Sequence, residues 1–143
     1  MRLFLDANVL FTAAHNPNGK AALVLELATA GLWQAVTSAY ALEEARRNLE
    51  RKYPDSLPEL DKRVAEIRLV VDSGRGNCPE GLVEKDCPIY RAARGCQADV
   101  LLTGDVRDFG FLMNAPDKTE GMCIQKVADF LDSLSSSMPS RSP

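Results

Sequence analysis

Six carboxylates stand where an α/β chain could bring them together. Asp6 closes the apolar run Leu3-Phe4-Leu5. Glu43 and Glu44 lie early in a segment rich in helix formers. Asp86 precedes Cys87-Pro88-Ile89, and Asp105 and Asp108 follow Val100-Leu101-Leu102-Thr103-Gly104. Carboxylates just past the carboxyl ends of buried strands sit where open α/β sheets place their ligands. Several in one cleft repel each other, so a persistent cluster calls for a hard cation. Ligands that are all oxygen suit Mg²⁺ or Mn²⁺. Such an ion, held by few carboxylates, keeps positions open for a water and for phosphate oxygens, the arrangement for metal-assisted phosphodiester hydrolysis. Asp105 also has a plainer role open to it, capping the next helix. No Ser–His–Asp or Cys–His arrangement competes. The single His15 lies in the polar loop His15-Asn16-Pro17-Asn18-Gly19, where exposure to solvent is expected.

The elements that must position these acids alternate between strand and helix. Residues 2–5 form a first strand, and 7–10 lead out of it. Residues 21–30 are a helix with Leu23, Leu27 and Ala30 on one stripe, core or dimer face, stopped at Gly31. Residues 33–37 are a second strand, and Ser38 caps a helix over 39–52 that Pro54 ends. Ser56-Leu57-Pro58-Glu59 has capping-box spacing and predicts a helix to residue 66. Residues 67–71, rich in β-branched types, are a third strand, and 72–83 a loop. Asp86 caps a helix to residue 96. Residues 99–103 are the fourth strand, 109–113 a short helix, 122–124 a small fifth strand and 127–134 a closing helix. The pattern predicts a three-layer α/β/α sandwich around a parallel sheet of four or five strands. Residues 1–134 make one domain, and the Ser/Pro-rich 135–143 a disordered tail.

At 143 residues, with 45% apolar and 26% charged side chains, the chain is long enough for a core without staples. A net charge of −3 lacks the basic excess typical of nucleic-acid binders, although bound cations can offset a local acid cluster. Cys78, Cys87, Cys96 and Cys123 show no C-x-x-C spacing, which speaks against zinc. No run reaches signal-peptide or transmembrane length, so a cytoplasmic protein with reduced thiols and no membrane contact is expected.

Four motifs, in order, resemble those of the PIN domain family, a group of Mg²⁺/Mn²⁺-dependent ribonucleases. They are Leu5-Asp6-Ala7-Asn8-Val9-Leu10, Leu42-Glu43-Glu44-Ala45-Arg46-Arg47-Asn48-Leu49, Lys85-Asp86-Cys87-Pro88-Ile89 and Thr103-Gly104-Asp105-Val106-Arg107-Asp108-Phe109. The resemblance covers nearly all of residues 1–134 and is closest to the toxin components of bacterial toxin–antitoxin pairs, similar to VapC. It implies Asp6 and Asp86 as main metal ligands, with Asp105 completing the site directly or through water. It implies Glu44 as the second acid, because its distance to Leu49 matches the motif. Periodicity leaves Glu43 and Glu44 both open, since they lie about 100° apart on a helix and both off the Leu42/Ala45/Leu49 stripe. Asp108 stands in the same relation to Asp105.

Basic residues near the acids fit a phosphate-bearing substrate: Arg46 and Arg47, Arg91 and Arg94, and Arg107. Solvated helix faces and ion pairs are the plainer fate of each. Thr103 is placed to orient a carboxylate or a water. Tyr40 and Tyr90 fit base stacking or a place in the core. The resemblance further implies RNA as substrate, a small antitoxin covering the acidic cleft, and a homodimer. Two other readings stand beside the nuclease: a catalytically silent binding module of the same fold, and a receiver-type phosphoacceptor domain. The last normally needs a pair of acids after the first strand and a late strand-end Lys, which this sequence lacks.

Overall fold

The computed structural model describes residues 1–71 and 76–137. Five parallel strands form one sheet in the order β3-β2-β1-β4-β5. They are β1 Arg2–Leu5, β2 Gln34–Ser38, β3 Arg68–Val70, β4 Val100–Leu102 and β5 Cys123–Gln125. Seven α-helices accompany them among the described residues: α1 Ala7–His15, α2 Lys20–Thr29, α3 Ala39–Lys52, α4 Leu57–Val64, α5 Cys87–Gly95, α6 Val106–Phe109 and α7 Val127–Ser137. This is the expected α/β sandwich, with the fifth strand present.

β1 and β4 lie side by side at the centre because both are apolar on both faces. Leu3, Phe4, Leu5, Leu101 and Leu102 are fully buried, each stabilising the fold by about 1.5–3 kcal/mol. Their register pairs Leu5 with Leu102. The next residues, Asp6 and Thr103, therefore emerge together at the carboxyl edge. The chain steps outward from β1 to β2 and β3 on one side, then returns to β4 and β5 on the other. β1 and β4 thus flank the switch point where such sheets bind ligands.

Helix α1 replaces the expected lead-out over 7–10. Asp6 takes an extended backbone and its carboxylate accepts from the Ala7 N–H, so the helix starts at once. Ala7, Val9, Leu10, Ala13 and Ala14 are buried, with Asn8 and Thr12 on the opposite face. Helix α3 matches its expected bounds: Ser38 Oγ accepts from the Ala41 N–H, and Ala41, Ala45 and Leu49 pack inward. Gly31, at φ 91°, ends α2 in the left-handed conformation that suits glycine. Leu27 on α2 packs against the core while Leu23 is exposed, so the expected stripe divides.

Several local expectations are corrected. Ser56 makes no capping bond, because Pro54–Ser56 is already a tight 3₁₀ turn leading into α4. Asp86 likewise makes no cap bond and ends the 3₁₀ turn Glu84–Asp86. Helix α7 runs to Ser137, so residues 135–137 are helical rather than tail. Residues 138–143, and 72–75 of the expected loop, lie outside the described residues. Cys78 and Cys87 are joined by a disulfide, contrary to four reduced thiols, while Cys96 and Cys123 are free. The segment between them folds back over the start of α5 and brings their Cα atoms to 5.6 Å. No described helix is long and apolar enough to cross a membrane.

Candidate metal centre

Four chain segments bring carboxylates to one cavity at the carboxyl edge. Asp6 from the end of β1, Glu44 from α3, Asp86 from the turn before α5 and Asp105 after β4 all line it. Its volume is about 370 Å³. A larger cavity, about 730 Å³, lies at the opposite edge beside Arg2, Gln34, Arg68 and Asp99. Size does not select the site; the acid cluster does.

Asp6 is held on both oxygens. Oδ1 accepts from the Ala7 N–H at 2.6 Å, and Oδ2 accepts from Thr103 Oγ1 at 2.8 Å. The Asn8 amide reaches Asp6 Oδ2 at 3.4 Å and Thr103 Oγ1 at 3.3 Å, while its oxygen accepts from the Gly104 N–H at 2.7 Å. Burial pushes the Asp6 carboxyl up to about 6. The hydrogen bonds from Thr103 and Ala7 oppose that rise, and the charges of Glu44 and Asp105 add to it.

Asp86 is 9% exposed, and its Oδ2 is buried without a hydrogen-bond partner. Burial is the main cause that pushes its carboxyl up to about 7. A hydrogen bond to Asp108 and the charges of Asp108, Asp6 and Asp105 raise it further. Asp108 moves the other way: the hydrogen bond from Asp86 holds it below the usual carboxylate range, helped by Lys85, whose Nζ lies 3.6 Å from Asp108 Oδ2. The two carboxyls are therefore shifted in opposite directions, Asp86 upward and Asp108 downward. Asp105 also caps α6, its Oδ1 accepting from the Asp108 N–H at 3.0 Å.

Asp86, Asp105 and Asp108 each offer an oxygen, all within 4.8 Å of one another. Opposite ligands of a Mg²⁺ ion, at about 2.1 Å each, stand about 4.2 Å apart. The trio therefore fits a single hard cation with small adjustments. An all-oxygen donor set and an unpartnered buried oxygen on Asp86 suit the same ion.

Residues 2–107 match the family model for the PIN domain. The chain belongs to the PIN domain family. No curated protein matches its sequence. Among solved structures, this PIN domain is similar to VapBC2 from Rickettsia felis bound to a promoter DNA fragment, with TM-score 0.63 and 15% identity over 88% of this chain and 98% of the other. It is also similar to DNA-bound VapBC from Salmonella typhimurium, TM-score 0.62 and 14% identity over 89% and 98%. A third is VapBC-1 from nontypeable Haemophilus influenzae, TM-score 0.56 and 15% identity over 90% and 99%.

Within this PIN domain, the expected site residues divide. Asp6, Glu44, Asp86 and Asp105 share the cavity, and Glu43 is exposed outside its lining. Asp108 joins Asp86 and Asp105 in the trio. Thr103 is fully buried, and its hydroxyl donates to Asp6 Oδ2. Arg46 does not line the cavity; it pairs with Asp61 at 2.7 Å. Arg107 is exposed and also outside the lining. Arg94 pairs with Glu120, and Arg91 donates to the Gly76 carbonyl. Tyr90 is buried with its hydroxyl on Glu120, and Tyr40 donates to the Lys85 carbonyl. Asn8, Lys52 and Lys85, absent from the expected site residues, also line the cavity. Asn8, two residues after Asp6 in the first motif, carried the one sequence signal that could have found it.

Proposed function

We propose that this PIN domain hydrolyses RNA phosphodiester bonds with Mg²⁺ or Mn²⁺, as the toxin of a bacterial toxin–antitoxin pair. The observation that carries the reading is the convergence of carboxylates from separate segments around the unpartnered Asp86 Oδ2. Asp86, Asp105 and Asp108 would hold the ion, with Asp6 facing it across the cavity. A bound ion would activate water and steady the leaving oxygen. Glu44, which lines the cavity from α3, would take the water's proton on a carboxylate oxygen. Thr103 and Asn8 keep Asp6 oriented, and the Lys85 ammonium supplies positive charge at the cavity for a phosphate.

The partner follows by analogy: the three similar structures are VapB–VapC assemblies, so a small antitoxin is the expected inhibitor. Homodimerisation belongs to the same analogy, and exposed Leu23 is available to it. An RNA substrate implies a cytoplasmic enzyme. In that reducing compartment the Cys78–Cys87 bond is an exception.

The test is cleavage of a labelled mixed-sequence RNA in Mg²⁺, Mn²⁺ or EDTA, alongside Asp6→Asn. Cleavage that needs metal and is lost in the variant supports the reading. No cleavage by either protein, with calorimetry showing no bound metal, would leave a silent binding module.

A further inference from the structure

Three aromatic rings stand at the rim of the acid cavity. Phe11 lines the cavity itself, together with Lys52 and Asn48. Beside it His15 and Tyr53 are stacked, with centroids 3.6 Å apart and planes 15° from parallel. Phe11 lies tilted at 6.2 Å from His15 and 5.8 Å from Tyr53. Lys52 Nζ sits 5.9 Å from the Phe11 centroid. His15 and Tyr53 are both exposed, so this is no core cluster. Among the described residues Lys52 has no salt-bridge partner. Flat exposed rings beside an unpaired ammonium match the way single-stranded nucleic acid is held: bases stack and phosphates meet cations.

We propose that Phe11, His15, Tyr53 and Lys52 form a nucleotide subsite, where a base of single-stranded RNA stacks on the rings and Lys52 meets its phosphate. The subsite deepens the ribonuclease reading and rests on it. Phe11 and Lys52 line the same cavity as the acids, so a strand whose phosphate lies at the carboxylates carries a neighbouring base onto the rings. A peptide partner would favour an enclosed apolar pit. Here the floor is carboxylate and the rim is cationic. Stacking reads a base's π-face, so this subsite favours unpaired RNA over duplex without selecting a sequence.

The test measures fluorescence anisotropy of a fluorescein-labelled, mixed-sequence short RNA in Mg²⁺, with protein carrying Glu44→Gln, which removes the group proposed to take the water's proton and keeps the acids that would hold the ion. His15 and Tyr53 are exposed, so replacing both with Ala keeps the fold and lowers the thermal midpoint only by the loss of their mutual stacking, a few degrees at most; Phe11, packed against the core, is kept. The double replacement weakens RNA binding about tenfold or more. Tyr53→Phe, which keeps the ring, retains the parent affinity. An abasic strand of the same length binds the parent weakly and is indifferent to ring removal. Equal RNA affinity with and without the rings overturns the subsite alone and leaves the rings to a protein partner. RNA that binds no form of the protein overturns the ribonuclease reading together with the subsite.

Discussion

Thr103 Oγ1 donates to Asp6 Oδ2 at 2.8 Å and ties the ends of two neighbouring strands through their side chains. Both residues are buried, and the same hydroxyl accepts from the Asp105 N–H at 3.1 Å. One hydroxyl thus links the acid after β1 to the acid after β4. Thr103→Val keeps the shape and removes the donor, leaving Asp6 Oδ2 with only the long contact from Asn8. Urea unfolding is expected to show a loss of about 1–3 kcal/mol. On the proposed ribonuclease reading, RNA cleavage should fall with it, because Asp6 loses one of the bonds that orient it.

The raised acids give the metal-free protein a distinctive pH dependence. Burial holds folded Asp6 near 6, against 3.8 for the ordinary group, and Asp86 near 7. A raised folded pKa means that the native state binds more protons than the unfolded chain. That stabilisation is complete below the unfolded pKa and is lost as pH rises through the folded value. Unfolding in EDTA should therefore show stability falling from about pH 4 to about pH 7, by roughly 2–3 kcal/mol for Asp6 alone. Asp108 is lowered, so its contribution is lost only below that window. Saturating Mg²⁺ flattens the slope by holding the carboxylates ionised. A flat or rising profile in EDTA would contradict this.

Asp86→Asn separates fold from metal. Burial disfavours the ionised Asp86 carboxylate, whose Oδ2 has no partner, so the metal-free variant should be more stable than the parent above about pH 7, where Asp86 is charged, by about 1 kcal/mol. Mg²⁺ should raise the melting temperature of the parent and leave the variant unmoved. Thermal melts with and without the ion check both halves.

Denatured protein without reductant should react as two thiols, Cys96 and Cys123, and after reduction as four. Cys78→Ser should cost about 2–3 kcal/mol and loosen the segment that delivers Asp86. Thiol titration and urea unfolding measure these. Four reactive thiols before reduction would contradict the bond.

The central strands were legible because Leu3-Phe4-Leu5 and Val100-Leu101-Leu102 are continuous apolar runs, which only a sheet covered on both faces buries. Helix α3 was legible for another reason: Ser38 and Pro54 mark both its ends. Helix α1 was not, since Asp6 looked like a strand terminator, not a cap. Periodicity left Glu43 and Glu44 both open, because only the packing of α3 decides which faces the cavity. The disulfide was hidden for the same reason: a fold-back of the chain, not a spacing, brings Cys78 to Cys87. Arg46 shows the limit of charge reading, since its carboxylate partner Asp61 comes from a different helix.

The most direct measurement is a calorimetric titration of Mn²⁺ into the metal-free protein near neutral pH, with Asp86→Asn in parallel. The account predicts saturable binding to the parent, accompanied by proton release because burial raises the Asp86 carboxyl, and binding at least tenfold weaker in the variant. Absent binding, or equal binding by both proteins, would contradict the claim that these carboxylates form a metal centre.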